Sequence, residues 1–259
     1  MSGLDRISEA FRRSRPAFMP YVMLGYPTRE ESLDVVRGLV RAGADLLELG
    51  VPFSDPLADG PVIQAAAQRS LENGTTLQDC LAMTRQLRRE GIDTPALLMG
   101  YLNPLLAYGP ERLAGDAAEA GVDGFIVPDL PPEEAEEFGR LCQANGLAFI
   151  YFLAPTSTPE RIRLVARRAR GFVYLLSVTG VTGARQSLPA YLDGFVQRVR
   201  TETDLPLAVG FGIQNGAQAR AVGRLADGVI VGSALVRCAG RSLGEVEALA
   251  TEIKSAMRE

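Results

Sequence analysis

Eight short apolar runs, rich in β-branched residues and separated by longer segments of helical period, dominate this sequence: residues 19–24, 46–49, 96–99, 124–127, 148–152, 172–177, 207–209 and 229–231. Continuous apolar runs of this length read as strands covered on both faces, the condition of a parallel sheet flanked by helices. Helical segments separate the runs, there is no hairpin signal and no composition break, and barrels of about 250 residues form one domain. The pattern therefore predicts a single-domain (β/α)8 TIM barrel over residues 1–259. An open doubly wound sheet is the alternative, and it lacks the expected Gly-x-Gly-x-x-Gly after the first run. Two additions to the eightfold pattern are expected. One is an amphipathic N-terminal helix with Leu4, Ile7 and Phe11 inward and Arg12, Arg13 and Arg15 solvated. The other is a long loop after strand 2, where residues 51–61 hold too much Pro and Asp for a regular element. Clear helices are expected over 31–42, ending at Gly43, and over 132–145, opening with Glu133, Glu134, Glu136 and Glu137 and ending at Gly146.

Composition then narrows the chemistry. Apolar residues make up 47% of the chain and aromatics only 7%, as expected for a parallel α/β core. With 27 basic against 31 acidic residues there is no cationic field for nucleic acid, and no apolar run is long enough for a membrane span. Cys80, Cys142 and Cys238 match no metal or redox spacing, so a reduced, cytoplasmic protein is expected. The chain contains no histidine, which excludes Ser-His-Asp, Cys-His and His-based metal sites and leaves proton transfer to carboxylates, Tyr, Lys or Cys. Its one lysine, Lys254, lies near the C-terminus, away from any strand that could present a Schiff-base amine. No metal site is expected, since neither His nor a close carboxylate cluster is available.

Reactive groups of such a barrel stand at the C-terminal ends of the strands. In strand 2, period-two alternation puts Ala44, Leu46 and Glu48 on one face and Asp45, Leu47 and Leu49 on the other. A carboxyl among leucines is costly to ionise, so Glu48 is either a raised-pKa acid/base or a structural acid satisfied by a neighbouring donor. Asp59 lies in the following loop, within reach of the same mouth, and reads equally as a second carboxylate or as a turn former before Gly60; Asp55 before Pro56 carries the same ambiguity. After run seven, Gly210, Phe211 and Gly212 lead to a helix begun by Asn215 or Gly216, and after run eight Gly232 and Ser233 open another. Glycines and helix N-termini at loops seven and eight fit a phosphate cradle. The small, hydroxyl-bearing segment 177–184 is able to add Gly183 to that cradle and Thr182 to a closing lid. Proton transfer by carboxylate on a small phosphorylated substrate is the chemistry that survives.

Residues 47–61, Leu-Glu-Leu-Gly-Val-Pro-Phe-Ser-Asp-Pro-Leu-Ala-Asp-Gly-Pro, resemble the signature stretch of the tryptophan synthase α-subunit family. Further matches run along the whole chain: Met99 to Tyr101 with Asn103 and Pro104, 127–131, 174–177 through Gly183, 210–213, and Gly232 with Ser233. The resemblance implies a cofactor-free retro-aldol lyase that splits indole-3-glycerol phosphate into indole and glyceraldehyde 3-phosphate in tryptophan biosynthesis. It implies Glu48 as the acid/base at indole C3 and the substrate hydroxyl, and Asp59 as the group stabilising positive charge at the indole nitrogen. Gly183, Gly212, Gly232 and Ser233 would contact phosphate, Tyr174 and Phe211 would line the indole pocket or its base, and Thr182 would orient Asp59 on closure. A β-subunit partner is implied in an αββα complex, with pyridoxal phosphate in that partner only, and Asp55, Asn103 and Pro104 match the face that meets it. Tyr26, between Gly25 and Pro27, departs from the Asp that other members carry there. A stand-alone indole-releasing lyase, and a non-catalytic ligand-sensing barrel that activates a partner, are the alternative readings.

Overall fold

A computed structural model describes residues 2–177, 190–210 and 212–258. Each of the eight apolar runs becomes a strand: β1 Ala17–Met23, β2 Leu47–Gly50, β3 Ala96–Met99, β4 Gly124–Ile126, β5 Ala148–Leu153, β6 Val173–Leu176, β7 Leu207–Gly210 and β8 Gly228–Val231. They pair in chain order, all parallel, and β8 closes on β1.

Twelve helices are present among the described residues. These are α1 Gly3–Arg13, α2 Arg29–Arg41, α3 Pro61–Glu72, α4 Leu77–Arg89, α5 Leu102–Tyr108, α6 Pro110–Ala120, α7 Glu136–Ala144, α8 Pro159–Arg168, α9 Leu192–Arg200, α10 Gly216–Gly223, α11 Ser233–Ala239 and α12 Leu243–Ala256. None of them is long and apolar enough to cross a membrane. The wide interval between β2 and β3 holds the expected loop together with α3 and α4.

Strand alternation sorts the core into two shells. Met19, Tyr21, Leu97, Ile150, Tyr174 and Ile230 belong to the barrel interior, while Phe18, Val22, Leu47, Leu49, Leu98 and Phe149 pack outward beneath the helices. Glu48, between two outward leucines, therefore points inward. Ala44 does not share that face: it precedes β2 and packs against the outer shell, because the extended backbone that would carry the alternation back to it begins only at Leu47.

The N-terminal helix closes the barrel's N-terminal end. Ser2 and Asp5 form a reciprocal capping box, and Ile7 and Phe11 join the interior cluster, with the Phe11 ring 5.6 Å from that of Phe172. Asp123, fully buried ahead of β4, accepts from Arg6, from Arg88 at 2.7 Å and from the Ala96 amide at 2.7 Å, tying α1, α4 and β3 together. The reactive rim is thus left to the opposite end.

The helix expected over 132–145 is shorter. Residues 132–135 form a turn, because the Pro132 carbonyl accepts from Arg168 and Glu134 closes a tight turn on Pro131. Glu133 pairs with Arg161 instead of serving the helix dipole, while Glu136 and Glu137 do occupy the first turn of α7.

Candidate active site

At the C-terminal mouth of the barrel a cavity is lined by Tyr21, Glu48, Asp59, Met99 and Tyr174 together with Gly212, Gln214, Gly232 and Ser233. The local sequence explains how the aromatic walls fit. A Cβ at Gly50 would lie 2.1 Å from the Tyr21 hydroxyl, and one at Gly210 would lie 2.3 Å from that of Tyr174. Glycine at the ends of β2 and β7 is therefore demanded by two tyrosine rings, and Gly210 is explained by packing and not by anion binding.

Glu48 is 1% exposed, and its Oε1 is the only fully buried side-chain nitrogen or oxygen without a hydrogen-bond partner among the described residues. Burial alone pushes its pKa up from 4.5 to about 8. A structural acid would have acquired a donor, since an unsatisfied buried oxygen costs about 1–3 kcal/mol. The carboxyl therefore keeps its proton near neutral pH and faces the cavity.

Asp59 is positioned differently. The loop turns back at Pro56, whose carbonyl accepts the Asp59 amide at 3.2 Å, so the residue does help make a turn, but its side chain reaches the cavity. The Tyr101 hydroxyl donates to Oδ2 at 3.0 Å and accepts the Ala58 amide at 3.0 Å, clamping the loop from the far end of β3. Burial raises the Asp59 pKa from 3.8 to about 6 against the lowering effect of the Tyr101 bond. Two carboxyls in one mouth thus occupy opposite protonation states between about pH 6 and 8.

The two expected phosphate loops differ in what they leave free. At α10 the Asn215 side chain takes the Gln218 amide at 3.0 Å and Glu252 takes the Gly216 amide at 2.8 Å. At α11 no side chain caps the helix, so its first amides lack an intrahelical acceptor beside the cavity. Gly212 sits at φ +91, a conformation that favours glycine. Gly232 does not need to be glycine for backbone reasons: its φ is −110, and a Cβ would meet only Tyr21, at 3.7 Å.

Thr182, Gly183 and Phe211 lie outside the described residues. Asp55, with Ser54 donating to its Oδ2 at 2.5 Å, and Asn103 are exposed, and Pro104 is half-buried on α5, all beside the mouth and outside the cavity. Leu57 at 81% and Leu106 at 53% are exposed on the same two segments. Tyr26 packs against the interior cluster, and its hydroxyl occupies the space where a Cβ at Gly240 would fall. The sequence reading did not single out Tyr21, Gln214 or the clamp by Tyr101. Tyr101 follows β3 directly, so its place at a strand's C-terminal end was the available signal.

The chain matches the family model described as "Tryptophan synthase alpha chain" over residues 7–259. It is 51% identical over 260 residues to the tryptophan synthase alpha chain of Roseiflexus castenholzii, covering 98% of this chain and 100% of that one. It is 53% identical over 237 residues to that of another Roseiflexus species, covering 90% and 91%. Among solved structures, Mycobacterium tuberculosis tryptophan synthase superposes with a TM-score of 0.90 at 38% identity, covering 99% of this chain and 97% of that chain. The Legionella pneumophila alpha subunit gives 0.90 at 38%, covering 100% and 99%. Closed barrel, paired carboxyls and matches along nearly the full length agree, and this chain belongs to the tryptophan synthase alpha chain family.

Proposed function

We propose that this chain cleaves indole-3-glycerol phosphate to indole and glyceraldehyde 3-phosphate as the α subunit of a tryptophan synthase, using no cofactor of its own. The observation that carries the reading is the unpartnered carboxyl of Glu48, protonated near neutrality and sharing one cavity with Asp59. Neutral Glu48 donates its proton to indole C3, leaving positive charge on the ring nitrogen, which ionised Asp59 stabilises. The resulting Glu48 carboxylate accepts the hydroxyl proton of the adjacent side-chain carbon. That O–H electron pair forms the aldehyde C=O, the bond from C3 to this carbon breaks, and its electrons restore the neutral indole. Glu48 ends protonated, so one residue serves both steps and no base is consumed.

The phosphate sits at Gly212, Gly232 and Ser233. Glycine at 232 is supported by ligand approach, since the fold itself leaves room there for a side chain. Thr182, Gly183 and Phe211 complete the site in this proposal, with Tyr174 in the indole wall. The exposed Leu57 and Leu106, with Asp55, Asn103 and Pro104, form the face for a β subunit, where pyridoxal phosphate resides. The assay that tests the whole reading is indole release from indole-3-glycerol phosphate with and without a β subunit from a relative. Release that the β subunit stimulates is expected; no release in either mixture would refute it.

Two outcomes follow from the carboxyls. The pH profile of kcat/KM is expected to be bell-shaped, falling below about pH 6 as Asp59 gains a proton and above about pH 8 as Glu48 loses one. A rate flat from pH 5 to 9.5 would contradict the assignment. Tyr101→Phe removes the bond that holds Asp59 ionised, so kcat should drop by about 10-fold and the acid limb should move to higher pH. An unshifted acid limb would leave Tyr101 a purely structural clamp.

A further inference from the structure

A second opening, of about 340 Å³, lies on the outer wall of the barrel between α7 and α8. Both helices pack on β5 and are bridged by the Arg168–Glu136 ion pair, so the outward side chains at the start of β5 form the floor of a cleft. Leu147 and Phe149 make that floor apolar, with Leu4 of α1 at one end. The rim is basic. Arg140, Arg167, Arg168 and Arg170 line it against one carboxylate, Glu136, which already accepts from Arg140 at 3.2 Å and from Arg168 at 3.1 Å. The Arg170 guanidinium meets only backbone carbonyls at the end of α8, and that of Arg167 has no partner among the described residues.

Tyr151 supplies an independent observation. It is 5% exposed and lines the cleft, yet its hydroxyl has no hydrogen-bond partner among the described residues. Opposite it stands Gly139 of α7, where a Cβ would lie 3.3 Å from that hydroxyl. That hydroxyl opens on the cleft near Arg168 and Arg170, where it is a donor without an acceptor among the described residues.

We propose that this cleft binds a small organic anion. A carboxylate or phosphate is held by Arg140, Arg167 and the Tyr151 hydroxyl, and a compact apolar body rests on Leu147 and Phe149. The concave shape and its volume suit a small molecule. Arginine forks match the planar carboxylate and the phosphate oxygens. The site is separate from the mouth, since Ile150 faces the barrel interior while Phe149 and Tyr151 face outward. It therefore stands whether or not the proposed reaction is correct.

Amide spectra of the full chain titrated with phenyl phosphate, benzoate and neutral benzyl alcohol test the proposal residue by residue, so that binding in the mouth is read separately. Both anions are expected to shift the signals of 139–143 and 167–170 together, and benzyl alcohol is expected to bind at least tenfold more weakly. Arg140→Gln/Arg167→Gln should weaken both anions at this cleft by at least tenfold and Tyr151→Phe by about threefold or more, with indole release unchanged. Absence of these shifts, equal binding of benzyl alcohol, or wild-type affinity in the double variant would overturn it.

Discussion

Replacing Glu48 by Gln is expected to lower indole release by about 10³-fold, within the range that a positioned acid/base contributes and toward its upper part because one residue acts in both steps. The substitution keeps shape and removes only the titrating proton. Binding of glycerol 3-phosphate should stay within about threefold of wild type, since Gly212, Gly232 and Ser233 follow β7 and β8 and Glu48 stands on β2. A fall in kcat without a matching loss of ligand affinity separates lost chemistry from lost folding. Normal turnover in this variant would remove the proposed agent of the reaction.

The same variant should be more stable than the wild type in alkali. The native state keeps the Glu48 proton up to about pH 8, whereas the unfolded chain releases it near 4.5. Between those values the native state binds more protons, so this contribution is complete below about pH 4.5 and lost as pH rises through 8. A carboxyl so displaced costs the folded protein on the order of 5 kcal/mol above pH 8, against about 1–3 kcal/mol for an amide buried without partners. The first effect wins. Glu48→Gln should therefore exceed wild type by about 2–4 kcal/mol at pH 9 and fall to between equal and about 2 kcal/mol below it at pH 5, a swing of about 4 kcal/mol. Urea unfolding at both pH values measures it, and equal stability at pH 9 would mean that the carboxyl is not held dry. The proposed acid/base is thus expected to cost the fold stability that it would otherwise have.

Local patterns made the barrel legible. Eight apolar runs, with no hairpin chemistry between them, leave little besides a closed parallel sheet, and every run became a strand. Glu48 was legible for the same reason: a carboxyl one step out of phase with Leu47 and Leu49 has to point into the barrel. Asp59 was ambiguous because turn formation and catalysis ask for the same residue before glycine, and the structure shows it turning the loop while reaching the cavity. What spacing conceals is contact across the sequence. Tyr101 clamps Asp59 only because β3 lies beside β2, and Glu252 of α12 takes the Gly216 amide, so the uncapped α11 offers more free donors than α10. The late start of α7 has the same origin, since Arg168 of α8 holds the Pro132 carbonyl.

Central to this account is an acid that stays neutral at physiological pH because it is buried and its carboxyl Oε1 has no hydrogen-bond partner among the described residues. Difference infrared spectra of wild type against Glu48→Gln, followed from pH 4 to 10, read the protonated carboxyl band of this one residue. Loss of that band with a midpoint near pH 8 is the predicted result. A midpoint near the ordinary glutamate value of 4.5 would show an ionised carboxylate at neutral pH and contradict the mechanism built on it.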